Sequence, residues 1–436
     1  MRKPRDSDQY LSDQGYKEFL RKHAHSPRVQ RKKSTTAVSL STPISLLYER
    51  RLTEIFKPHQ HIVDIVIPRN FSIIDNPQDA LKVICSFSNT VREFDHRIKE
   101  VSIDYGNMQE VDLAAESILD FLFLERQREQ RNRRKKTNFR GHYPKDAKLK
   151  RYLKAVGIIK NLDIKHEFLA KEEEARLRIF RMRSKKTLRP ANAGSSDFKE
   201  QVVRDFVDHI NVCLNDHKRQ LTDMARSKLA QYTGEVLGNA EEHSGYNDWS
   251  IVGYLDNAHE SHMCEIAMFN FGKTISETFR ELPKNSYAYS VIEPYIDAHK
   301  SRWFKQSWTV DDLITLVALQ GHVSSKNKSP EDDRGQGTVD LIEIFQRVHQ
   351  ECIKDEKPCA AMAILSGYTH ILFDGTYKMQ ADTRGRKVIA FNKGNDLNDP
   401  PDEKYVKNLD KLYFPGVIIS IRFPMAASQT REVERI

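Results

Sequence analysis

A change of period in the second half of this chain leaves it few arrangements. After Ser196, an N-cap residue, Phe198, Val202, Phe206, Ile210 and Cys213 recur at three- or four-residue steps, which makes a helix with one apolar face. The stretch LTDMARSKLAQYTGEVLGNAEEH (221–243) is again helical. The period then shortens. HMCEIAMFNFGKTI (262–275), AAMAILSG (360–367), THILFDG (369–375) and GVIISIRFP (416–424) read as strands with glycines in their turns. Helices followed by strands joined through tight turns must bury their faces against each other in layers.

The first half alternates differently. HIVDIVIP (61–68) is a strand, and Asn76 and Pro77 open a helix whose Leu81, Ile84 and Phe87 share a face. EVSIDYGNM is a second strand, and residues 112–125 form a helix burying Ala115, Ile118, Leu119, Phe121 and Leu122. A further helix closes at Gly157, and another lies around Leu47 to Phe56. Strand, helix, strand, helix is an α/β layout. Residues 1–43 are polar and basic, an arm expected to stay disordered. Residues 165–195 read as a charged helical connector broken at Pro190. A chain of 436 residues suits two or three cores.

The net charge of +9 gathers in runs at Arg28 to Lys33, Arg126 to Lys136 and Arg176 to Arg189. Such runs fit a phosphate-rich partner, nucleic acid included, and equally fit solvated tails. In the third, Phe180 and Met182 alternate with arginines, which also suits a segment packing on a neighbour. No apolar run is long enough to span a membrane, and no apolar stretch follows the basic residues at the start. Cysteines 85, 213, 264, 352 and 359 have no zinc or disulfide spacing. A cytoplasmic, reducing setting is the simplest expectation. His59 and His61 lack partner ligands nearby in sequence.

The chemistry concentrates on the second long helix. Glu235 and Asn239 stand four residues apart, so they share one face. An amide oxygen is a hard ligand for Mg²⁺ on nucleotide phosphates, and a carboxylate one turn earlier can take a proton from an attacking water. Downstream, ALQGHVSSKNKSPEDDRGQGTVDLIEIF (318–345) is a polar loop entering a helix. Gly335 and Gly337 there let backbone approach phosphate closely.

In these elements the region from about 197 to 425 resembles the GHKL superfamily, with its Bergerat nucleotide fold. The N-box corresponds to Glu235, Asn239, Ala240, Glu242 and His243. The first glycine box appears as Asn270-Phe-Gly272-Lys-Thr274, with Asn270 in place of the usual acid and Thr274 in place of the second glycine. The second appears as Arg334-Gly335-Gln336-Gly337-Thr338. The resemblance implies ATP and Mg²⁺ as ligands, Glu235 as the catalytic carboxylate and Asn239 as the metal ligand. It implies ATP contacts from Asn239, Glu242, His243, Asn270, Gly272, Thr274, Lys326 and the residues from Arg334 to Thr338. Residues 276–333 would be a lid, and the neutral Asn270 should hold adenine less tightly than an acid does.

The pattern IDYGNMQEVDLAA resembles a STAS-like domain over residues 44–164, but Asp112 to Ala115 offer no hydroxyl where phosphorylatable members carry serine. The expected architecture is thus a STAS-like α/β domain, a connector, and a Bergerat α/β sandwich over 196–436 with a mixed sheet covered by helices. The expected function is a Mg-ATP-driven ATPase switch in a regulatory or defence system, working through a protein partner or homodimer. A serine/threonine protein kinase of the anti-sigma-factor type and a non-hydrolysing ATP-sensing adaptor stand as alternatives.

Overall fold

A computed structural model describes residues 42–49, 54–132, 137–157, 169, 176–184, 195–215, 219–243, 249–256, 263–299, 308–321, 323–329, 336–353, 360–382, 385–424 and 430–432. The arm before residue 42 and the first basic run lie outside them. The first half runs α1 (Pro43–Glu49), β1 (Ile62–Val66), β2 (Asn70–Phe71), α2 (Pro77–Glu93), β3 (Glu100–Asp104), β4 (Glu110–Val111), α3 (Leu113–Asn132), β5 (Asn138–His142) and α4 (Ala147–Val156). Pro77 sits at the start of α2, where its missing N–H leaves no bond unmade. The Asp146 carboxylate caps α4 by accepting from Leu149 N at 2.8 Å. Strands β1, β3 and β5 are parallel neighbours in that order, with α2 and α3 as the crossovers that parallel pairing demands.

The second half runs β6 (Leu177–Ser184), α5 (Ser195–Asn215), β7 (Arg219–Leu221), α6 (Asp223–His243), β8 (Trp249–Asp256), β9 (Met263–Phe271), α7 (Ile275–Arg280), α8 (Tyr287–His299), α9 (Val310–Ala318) and α10 (Gln336–Ile353). It closes with β10 (Ala361–Gly367), β11 (Thr369–Phe373), β12 (Gln380–Ala381), β13 (Lys387–Val388), β14 (Val406–Asn408), β15 (Phe414–Pro424) and β16 (Thr430–Glu432). Seven strands make one sheet, ordered β14-β11-β10-β15-β9-β8-β6.

The chain is α/β, with parallel and antiparallel sheets and ten helices among the described residues. The large sheet corrects one expectation. Each of its pairings is antiparallel rather than mixed. Tight reversals such as Gly367, at φ +64 between β10 and β11, return the chain directly beside itself.

Both faces of this sheet are covered. Ala267, Phe269, Ala363 and Leu365 belong to the core shared with α2 and α3, while Ile266, Met268, Met362 and Ile364 belong to the core shared with α5, α6 and α10. The alternation is the two-residue period of a strand, and with both sides covered every residue of β8 and β10 is buried. Phe121 of α3 stacks on Phe271 at 5.2 Å and meets Phe269 edge-on at 5.6 Å. Residues 42–436 accordingly form one compact unit.

The charged connector is corrected where it is described, because residues 177–184 are the edge strand β6. Arg181 pairs with Asp120 at 2.8 Å and Arg183 with Glu125 at 3.0 Å, both carboxylates on α3. Phe180 packs on Phe206 from the other face. Arginine alternating with apolar residues is thus a strand whose charges are answered inside the molecule. In the second basic run Arg126 is likewise paired, with Asp95.

Carboxylates also meet the start of α3. Asp112 accepts from Ala115 N at 2.8 Å and Ile74 N at 2.9 Å, and Glu265 of β9 accepts from Leu113 N at 2.8 Å. Burial, then the neighbouring Asp112 charge, pushes the Glu265 carboxyl up to about 7, against the lowering effects of Leu113 N, Arg422 and Tyr152. The folded state therefore keeps a proton that the unfolded state releases above its ordinary carboxylate range. Stability from this group falls as pH rises toward 7 and stays low above it. Glu265→Gln should raise stability at pH 8 by on the order of 2–3 kcal/mol and leave it little changed at pH 4. Denaturant titrations of both proteins at the two pH values test this, and an equal shift at both would contradict it.

Candidate functional site

Helix α6 is capped by Thr222, whose hydroxyl accepts from Ala225 N at 3.2 Å. Its Leu237 and Ala240 enter the core under the sheet. Glu235 and Asn239, on the remaining arc, are exposed and line one cavity of about 580 Å³, within the range that holds small ligands and cofactors. Residues far apart in sequence converge there. Asn270 and Thr274 come from the end of β9 and the turn after it, Lys326 from the loop after α9, and Gly337 and Thr338 from the first turn of α10. Met268, Ile364, Val417 and Ile419 supply an apolar floor from the sheet.

Asn270 is buried, 6 % exposed, opposite Trp249 on β8 and Val417 on β15. Its neighbours Phe269 and Phe271 face the α3 side, so alternation turns Asn270 toward the cavity. The turn beyond explains why one glycine is kept and the other is replaced. Gly272 has φ +130 and donates its N–H to Pro415 O at 3.1 Å, so a glycine is required there. Thr274 has φ −78 and needs no glycine. Its hydroxyl accepts from Glu277 N at 3.1 Å while Glu277 accepts from Thr274 N at 3.0 Å, a capping box that starts α7.

Gly337 is explained by close packing. A Cβ built on it would lie 2.5 Å from Glu235 Cβ and 2.8 Å from Cγ. The absence of a side chain thus lets the start of α10 press against the carboxylate-bearing turn of α6. Arg334 and Gly335 lie outside the described residues, as do the side chains of Glu242, His243 and Gln336.

Residues 276–333, expected as a lid, contain three helices where they are described. Phe279, Ile292, Trp308, Leu313, Ile314, Val317 and Val323 make a separate small core among α7, α8 and α9. Asp312 fastens α9 to the sheet, accepting from Thr309 N at 2.6 Å, Thr369 Oγ1 at 2.6 Å and Asn408 Nδ2 at 2.7 Å. Phe279, Val323 and Lys326 line the cavity from this side.

Two lysines that the motifs did not single out complete the lining. Lys199 comes from α5, and Lys273 sits between Gly272 and Thr274. Among the described lining residues they join Lys326 as ammonium groups, with Glu235 as the carboxylate, while Lys273 is also paired with Glu281 and Lys199 lies 3.9 Å from Glu241. Lys273 was visible inside the glycine turn. Lys199 had no local signal, because its place depends on how α5 crosses α6. Among the described residues no group of three or more His, Cys, Asp or Glu could hold a metal ion, and no helix is long and apolar enough to cross a membrane. No family model, curated protein or solved structure matches this chain.

Proposed function

We propose that this chain is a Mg-ATP-binding ATPase of GHKL type that works as a nucleotide-driven conformational switch. One observation carries the reading. Glu235, Asn239, Asn270, Thr274, Lys326, Gly337 and Thr338, drawn from four separate stretches of sequence, line a single cavity with an apolar floor and a cationic rim. An apolar slot beside a buried amide suits a purine, and the amide oxygen of Asn270 can accept from its exocyclic amine. The lysines suit a polyphosphate. Asn239 fits Mg²⁺, which takes few protein oxygens and completes its shell with phosphate and water. When bound, that ion would neutralise charge on the phosphates.

Glu235 shares the helix face of Asn239 and is open to solvent. In this reading its carboxylate accepts a proton from water as the water oxygen bonds to the γ-phosphorus. The bond from that phosphorus to the bridging oxygen breaks, leaving ADP and inorganic phosphate. The small core of α7 to α9 is the element that ligand occupancy would shift, and the layer holding α3 would receive the change through β9. A Bergerat-like second half joined to a STAS-like first half is part of the same proposal.

Incubation of the full chain with γ-labelled ATP and Mg²⁺ tests it. Free labelled phosphate supports the ATPase. Label retained on protein would replace it with a kinase, and tight binding without either product with a sensing adaptor. Absence of any binding would overturn the nucleotide reading.

A further inference from the structure

We infer that Lys199 is a phosphate-reading cation of this cavity, the group by which the site distinguishes a polyphosphate from a neutral nucleoside. The inference rests on the Mg-ATP reading and names a specificity residue within it. Lys199 belongs to α5, outside every motif-bearing segment, yet lines the cavity with Glu235 and Asn239. Its approach to α6 is close. A Cβ added at Gly238 would lie 3.3 Å from Lys199 Nζ, so the ammonium rests on the helical turn beside Asn239.

The way Lys199 is held separates a ligand contact from a simple ion pair. Its Nζ stands 3.9 Å from Glu241 Oε2, beyond the 2.7–2.9 Å or so of a charge-assisted hydrogen bond. The other oxygen of Glu241 accepts a hydrogen bond, at 3.1 Å, from Nε1 of Trp249. That indole is 1 % exposed and stacked against Phe198. A buried aromatic therefore fixes the carboxylate, and the carboxylate steers the lysine without saturating its three donors. Lys199 lines the cavity, and an ammonium so held keeps bonding capacity for an anion. Lys326, from the loop after α9, supplies a second cation to the same cavity.

The test is calorimetric titration of the full chain with ATP, ADP and adenosine, using wild type, Lys199→Met and Lys199→Arg. Lys199→Met should weaken ATP binding by about tenfold to a hundredfold, the range of one charge-assisted hydrogen bond, and change adenosine binding less than twofold. Lys199→Arg should restore most of the loss. Equal losses for ATP and adenosine in Lys199→Met would assign the lysine a packing role and overturn the inference. Unchanged ATP affinity in that variant would also overturn it while leaving the nucleotide reading intact. A wild type that binds none of the three ligands would remove both.

Discussion

Replacing Glu235 with alanine should lower ATP turnover by about 10²–10⁴-fold, the usual contribution of a general base, while changing ATP affinity by less than about threefold. The substitution is structurally mild for a stated reason. Gly337 packs against the Cβ and Cγ of Glu235, and alanine keeps the Cβ that α10 rests on. The side chain is exposed, so little buried area is lost. Phosphate release and equilibrium binding measured on one preparation separate the two effects. Turnover retained at the wild-type rate would remove Glu235 from the chemistry.

The second large effect is on stability. Phe121→Ala should cost about 3–5 kcal/mol, the range for deleting a buried aromatic. Phe121 is 5 % exposed, contacts Phe269 and Phe271, and carries the Arg183 guanidinium 3.8 Å from its ring centroid. It joins the α2–α3 layer to β9, the strand that carries Asn270 and leads into the Gly272 turn. Because the two halves share this core, the loss should move one cooperative unfolding transition. Two transitions, with only the first-half signal displaced, would show that the halves are stable separately.

Much of this was legible in the sequence where a period or cap is local. The helices from 77, 113, 195 and 223, and the strands β1, β3, β10, β11 and β15, follow the apolar spacings that announce them. Strand β8 did not, because WSIVGYLD is buried on both faces and shows no alternation. Strand β6 was hidden by its arginines, whose carboxylate partners lie on α3, more than fifty residues away in sequence. The starts of α7 and α9 were readable but missed. Thr274-Ile-Ser-Glu277 and Thr309-Val-Asp-Asp312 have the spacing of capping boxes ahead of apolar residues.

The candidate site divides the same way. The motif residues Glu235, Asn239, Asn270 and Gly337 were visible, and they meet in one cavity. What the sequence could not supply was contact between helices. Gly337 was expected to serve a phosphate, and the structure adds the pressure of Glu235 against it. Lys199 needed the crossing of α5 over α6. Thr274, which looked like a defect in a glycine box, is a buried N-cap at 1 % exposure.

The most direct measurement is calorimetric titration of the full chain with ATP, with and without Mg²⁺, beside an Asn239→Ala variant. One site per chain, tighter binding with Mg²⁺, and loss of that Mg²⁺ dependence in the variant are the expected results. A wild type that binds no ATP, or a variant that keeps the full Mg²⁺ dependence, would contradict the Mg-ATP reading.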